Sequence, residues 1–172
     1  MPKLKKKALV GIVMGSDSDL PIMTETARML QQLGVPFDIE ISSAHRSPER
    51  TADYARSAAG RGLKVIVVGA GGAAHLAGVI AAETTLPVIG VPIASSPLGG
   101  TDALFSTVQM PGGVPVATMA VGKAGAMNAA IFAAQIMATS NGSLNRRLAQ
   151  HKREMARAVA EKSKRLKRKF RL

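Results

Sequence analysis

Within seven residues, Ser42-Ser43-Ala44-His45-Arg46-Ser47-Pro48, the chain gathers an imidazole, a guanidinium and three hydroxyls. An imidazole titrates near neutral pH, so one histidine can deliver a proton and take one back in a single cycle. A guanidinium presents a rigid fork of N–H donors that suits phosphate. His45 is therefore the candidate for proton transfer and Arg46 for anion binding. A purely structural reading competes. Pro48 is pre-set for a first helical turn, so Ser47 would be a helix cap, with Arg50 where a capping box has Glu.

Two further segments have chemical content. Gly15-Ser16-Asp17-Ser18-Asp19 offers backbone N–H groups at a helix start, which suit a phosphate, and Asp19, which suits sugar hydroxyls or a helix cap. Asp17 and Asp19, two apart after a strand, also admit a metal-binding reading. Gly69-Ala70-Gly71-Gly72 is made of small residues that let a ligand touch the backbone. Its glycine spacing does not fit a dinucleotide fingerprint. His75 reads as structural more readily than catalytic. The other histidines are His45 and His151, far out in the tail, so a multi-histidine metal site is not expected. No serine sits in a nucleophile elbow. Lys123, after Val121-Gly122, reads equally as a phosphate contact or a solvated residue.

The elements that must position these residues follow from pattern. Ala8 to Met14 reads as a buried strand, Pro21 to Leu33 as a helix closed by Gly34, and Val35 to Ile41 as a second strand, buried over Phe37 to Ile41. Pro48 to Ala59 is a helix closed by Gly60 and Gly62. Leu63 to Val68 is a strand, Gly69 to Ala74 a turn, and Ala74 to Glu83 a helix with His75 just inside it. Leu86 to Val91 is a fourth strand. Residues 92–115 are broken by Pro and Gly, with a short helix near Asp102 to Val108. Val116 to Ala120 is a last strand and Lys123 to Met137 an alanine-rich helix. A long helix starts near Ser143, with Leu144, Leu148, Met155, Val159, Leu166 and Phe170 on one stripe and charge that disfavours order beyond about residue 160. Strand–helix alternation implies an α/β fold, a parallel sheet with helices on both faces. The loops 15–19, 42–47 and 69–75 then share one sheet edge, where such sheets bind ligands.

Composition narrows the classes. At 172 residues the chain reads as one domain, with no cysteine and therefore no disulfide or thiolate chemistry. The net charge is +12, but residues 146–172 carry twelve Lys/Arg against two Glu, and residues 1–7 carry four lysines. The body between them is slightly acidic, so the charge does not mark a nucleic-acid-binding face. One tyrosine and no tryptophan leave little for base stacking. No apolar run reaches membrane-spanning length and no signal peptide is evident. Nucleic-acid and membrane partners are not expected, and the cytoplasm is.

Five motifs in order resemble the N5-carboxyaminoimidazole ribonucleotide mutase (class I PurE) family. They are Gly15 to Asp19, Ser43-Ala44-His45-Arg46, Gly69 to Leu76, Gln109 to Val116, and Lys123 to Ala130. The resemblance implies a flavodoxin-like three-layer α/β/α sandwich over residues 9–140, preceded by a basic segment, 1–8, and followed by a basic helix or tail, 141–172. It implies an octamer and neither metal nor organic cofactor. It assigns the substrate phosphate to Ser18, Ser43 and Arg46 and the ribose to Asp19. The imidazole and its carboxylate fall to Ser16, His45, the backbone of Ala70, Gly71 and Gly72, and Leu76. Ala77 stands where the family pattern has proline, and Ala94 to Gly100 is less typical. The implied reaction moves a carboxylate from an exocyclic nitrogen to ring carbon C4 through trapped CO2, with His45 as acid and base. The competing expectations are a carboxylase that uses CO2 directly and a non-catalytic nucleotide- or flavin-binding module.

Overall fold

The computed structural model describes residues 7–170, so the basic N-terminal segment lies outside them except for its last two residues, as do Arg171 and Leu172. The strands are β1 (Val10–Met14), β2 (Phe37–Ile41), β3 (Val65–Gly71), β4 (Val88–Ile93) and β5 (Ala117–Thr118). A 3-10 turn, Asp17–Asp19, leads into α1 (Leu20–Gln32). The other helices are α2 (Pro48–Arg61), α3 (Leu76–Glu83), α4 (Thr101–Val108), α5 (Lys123–Ala138) and α6 (Gly142–Phe170). The described residues divide into two compact units, one before and one after the boundary between Ala133 and Ala134.

In the first unit all pairings are parallel and the order is β2-β1-β3-β4-β5. The chain steps from β1 outward to β2, then crosses back over β1 to β3. That reversal sends successive helices to opposite faces, because each crossover is right-handed. Thr26 of α1 donates its hydroxyl to the Ala126 carbonyl of α5 at 2.8 Å, a buried bond that ties those two helices together. Leaving that carbonyl without its partner would cost about 1–3 kcal/mol. On the other face α2 packs on α3. The result is the expected three-layer α/β/α sandwich.

β1 and the Val65–Gly69 part of β3 are fully buried, as continuous β-branched runs in a parallel sheet should be. β2 differs from expectation. It is an edge strand, and Ile39 and Ile41 are 45% and 46% exposed. The sequence Phe-Asp-Ile-Glu-Ile alternates, which puts Phe37, Ile39 and Ile41 on one face and Asp38 and Glu40 on the other. Asp38 reaches α2, where it accepts a hydrogen bond from the Tyr54 hydroxyl at 2.8 Å and pairs with Arg61 at 2.7 Å. The Arg61 guanidinium lies 4.3 Å from the centre of the Tyr54 ring. Burial, reinforced by the Asp38 charge, pushes the Tyr54 phenol well above its ordinary range. Glu40 similarly pairs with Arg50.

Other boundaries shift for local reasons. β3 runs through Gly69, Ala70 and Gly71, which pair with Val91, Pro92 and Ile93 of β4, so the expected turn is largely strand. Glycine is a weak strand former, but its neighbours' ladder holds it. Gly60 lies inside α2, which ends at Gly62 in the left-handed region. His75 occupies the cap position of α3 and not its first turn.

In the second unit, Asn141 caps α6 by accepting the Leu144 N–H at 3.1 Å. The helix continues to Phe170, past the point where its charge was expected to disorder it. Leu144 and Leu148 of the apolar stripe are buried, whereas Met155, Val159, Leu166 and Phe170 are exposed.

Candidate active site

The register aligns the carboxyl ends of three strands: Met14 pairs with both Ile41 and Gly69. The loops that leave those ends close around one cavity of about 310 Å³. Its wall takes Gly15, Ser16, Ser18 and Asp19 from the β1 loop and Ser43, Ala44, His45 and Arg46 from the β2 loop. Ala70 and Gly71 end β3, Ala73 and Leu76 follow it, and Ser95 comes from the loop after β4.

The β1 loop is held by its own side chains. Ser16 caps the 3-10 turn and donates its N–H to Asp19 Oδ2 at 3.1 Å, completing a capping box. The Ser16 hydroxyl donates to Asp17 Oδ1 at 3.0 Å, and Asp17 Oδ1 also accepts the Ser18 N–H at 3.1 Å. Both aspartates are therefore engaged in shaping the turn. Asp19 is buried, and desolvation raises its carboxyl above the usual range, opposed by N–H groups of Ser16 and Gly15. A buried carboxylate of this kind gains from an outside donor such as a sugar hydroxyl.

The β2 loop is tightened by serines. The Ser47 hydroxyl donates to the Ser43 carbonyl at 3.0 Å and accepts the Ser43 N–H at 3.1 Å. Ser47 stands at the cap position of α2, but its side chain makes no cap bond. It instead closes the loop on itself, so the expected cap is a loop staple. The Ser42 hydroxyl is buried against Thr51 at 2.8 Å. Ser43 Oγ accepts the Arg46 N–H at 3.2 Å, and Arg46 Nη2 donates to the Gly15 carbonyl at 3.3 Å. Arg46 thus spans from its own loop to the β1 loop with no carboxylate neutralising it among the described residues. It remains available to an anion.

The third loop brings what sequence reading undervalued. His45 Nε2 lies 2.9 Å from His75 Nδ1, with the ring centres 5.0 Å apart and the planes at 87°. One ring must donate and the other accept, so the contact couples the tautomers of the two rings and holds the orientation of His45. The bond crosses from the β2 loop to the β3 loop, thirty residues away. Nothing in the local pattern of either histidine signals the other; only the shared sheet edge could have done so.

Of the residues singled out from sequence, Ser16, Ser18, Asp19, Ser43, His45, Arg46, Ala70, Gly71 and Leu76 are together on the cavity wall. Gly72 is not on it. Its φ of +59° turns the chain from β3 toward α3, a conformation that favours glycine. Lys123 opens α5, exposed, and is also absent from the wall. Ser95 is on the wall and no motif pointed to it. Among the described residues no group of three or more His, Asp or Glu is clustered as metal ligands.

Comparison with known proteins agrees with this geometry. The sequence profile of the AIR carboxylase family matches residues 9–158. The N5-carboxyaminoimidazole ribonucleotide mutase of Pyrococcus horikoshii is 55% identical over 161 residues, covering 94% of this chain and 90% of that one. The mutase of the same name from Thermotoga maritima is 53% identical over 157 residues and covers 91% of each chain. The crystal structure of Treponema denticola PurE superposes with a TM-score of 0.83 at 26% identity, over 93% of this chain and 99% of that one. By sequence across most of its length and by fold, the chain belongs to the AIR carboxylase family.

Proposed function

We infer that the chain converts N5-carboxyaminoimidazole ribonucleotide to 4-carboxy-5-aminoimidazole ribonucleotide in de novo purine biosynthesis, as a mutase. The observation that carries this reading is the pairing of His45 and Arg46 on one wall of the cavity, in a chain more than half identical to mutases over nine-tenths of their length.

The cavity divides by chemistry. Arg46, Ser43 and Ser18 take the phosphate, because the guanidinium has no competing acid, Ser43 lies against it and Ser18 shares the cavity wall. Asp19 takes the ribose hydroxyls. Ser16, His45, Ala70, Gly71 and Leu76 then face the imidazole and its carboxylate; Gly72 holds the turn behind them. In the reaction the exocyclic N–CO2 bond breaks with its electron pair remaining on nitrogen, and His45 supplies the proton that nitrogen takes. C4 attacks the freed CO2, and the C4 proton passes back to His45, which ends the cycle as it began. His75 holds His45 in register for both transfers. Uncharged CO2 requires only a small apolar wall that hinders escape, which the alanines and glycines after β3 supply.

Rate measurements on carbamate ribonucleotide with neither metal nor ATP added test the reading, with formation of the C4-carboxylated product expected. Carrying a label on the carbamate carboxyl separates the mutase from the direct carboxylase. Retention of label in excess unlabelled bicarbonate supports the mutase. Loss of label, with a rate that follows dissolved CO2, identifies the carboxylase. The same reading takes the enzyme as a cytoplasmic octamer; the open cavity and the exposed isoleucines of β2 both favour association between copies.

A further inference from the structure

We propose that the Ser95 hydroxyl binds the migrating carboxylate, so that the loop after β4 supplies the carboxylate end of the site. The proposal rests on the reaction assigned above and adds to it a residue outside every motif of the sequence.

Four observations carry it. Ser95 lies on the wall of the same cavity as His45 and Arg46. Its backbone is fixed, because its N–H donates to the Ile93 carbonyl at 3.0 Å in a tight turn directly after β4. Its hydroxyl has no hydrogen-bond partner among the described residues, whereas the Ser16 hydroxyl already donates its proton to Asp17. It also lies against Gly71: a Cβ built on Gly71 would collide with Ser95 Oγ and come within 2.9 Å of the Ile93 carbonyl. Glycine at 71 is therefore what lets the hydroxyl stand at the end of β3.

Position along the sheet assigns the ligand group. Arg46 Nη2 reaches the β1 loop at Gly15. β4 lies two strands away from β1, roughly 10 Å at ordinary strand spacing. A phosphate seated on Arg46 leaves Ser95 to the other end of the nucleotide, where the reacting carboxyl must lie. The chemistry of the donor also fits. A cation at that end would stabilise the carboxylate over CO2 and oppose the bond breaking that starts the reaction. A neutral hydroxyl hydrogen-bonds a carboxylate and still tolerates CO2 beside it. Ser95 is exposed in the isolated chain, so its replacement removes a donor without opening the core.

The test compares two nucleotides that differ only in the carboxylate. Calorimetric titration of the full chain uses 4-carboxy-5-aminoimidazole ribonucleotide and 5-aminoimidazole ribonucleotide, on wild type, Ser95→Ala and Arg46→Ala. Ser95→Ala is expected to weaken the carboxylated nucleotide about tenfold or more and to leave the other unchanged, the loss appropriate to one hydrogen bond to a charged group. Arg46→Ala is expected to weaken both. In turnover, Ser95→Ala should release free 5-aminoimidazole ribonucleotide, because CO2 is held less well. Equal affinities of wild type and Ser95→Ala for the carboxylated nucleotide, or an equal loss for both nucleotides, would overturn the role of Ser95. Failure of wild type to bind either nucleotide would overturn the assigned reaction and the proposal with it.

Discussion

His45 and Asp19 show how the same cavity treats two titratable groups differently. His45 is exposed at the mouth and partnered by His75, so it can exchange protons with substrate. Replacing it with Asn is expected to lower turnover at least about a hundredfold while nucleotide affinity stays within a few-fold, measured by steady-state rates and calorimetry. Wild-type turnover in a folded variant would remove His45 from the chemistry. Asp19 is buried with its carboxyl raised by desolvation. A raised carboxyl pKa means that the folded state binds protons more tightly than the unfolded chain. Stability therefore falls as pH rises from the ordinary carboxylate range through the raised folded value, and the cost is complete above that value. Asp19→Asn removes that cost. The melting-temperature difference, Asn variant minus wild type, should grow more positive across this interval, while affinity for the ribonucleotide drops. A difference that does not change with pH would show that burial of Asp19 carries no charge penalty.

Among the elements, those read from sequence with least error are the ones with a single strong pattern. α1 has its proline at the start and Gly34 after its end, and α5 opens at Lys123 as expected, whereas β4 runs Val88–Ile93, two residues beyond the expected Leu86 to Val91. The misreadings have physical causes. Phe37 to Ile41 was expected to be buried, but its alternation already carried the edge-strand pattern, with acids turned toward α2. The strand through Gly69 to Gly71 was hidden because ladder bonds from neighbours outweigh glycine's own preference. Most of the cavity wall was legible because loops of parallel strands must share an edge. The His45–His75 bond and Ser95 were not, since both depend on how far a loop leans after it leaves the sheet. The C-terminal helix contributes no residue to the cavity wall, and Lys152 to Phe170 is exposed along its length. Truncation after Glu161 is expected to leave kcat/KM within about twofold of wild type, a change of under 0.5 kcal/mol. Loss of activity without change in assembly would place the tail in the site.

For the molecule as a whole, β2 presents an edge that no strand among the described residues covers, and an apolar face. Leu20, Ile39 and Ile41 are 44%, 45% and 46% exposed and line one shallow hollow with Met14. An edge of this kind invites pairing unless a copy covers it. Ile41→Glu is expected to shift light scattering toward smaller species, with activity falling alongside assembly; an unchanged mass would locate the contact elsewhere. The contact between β2 and α2 has an optical consequence. Tyr54 is the chain's single tyrosine, and there is no tryptophan, so near-ultraviolet absorbance and emission report one point beneath α2. Its phenol is held protonated far into alkali by burial and Asp38. An alkaline spectrophotometric titration should therefore show no tyrosinate band until the fold gives way, and then show it in one step. The band's onset becomes a tag-free readout of when the sheet and α2 part.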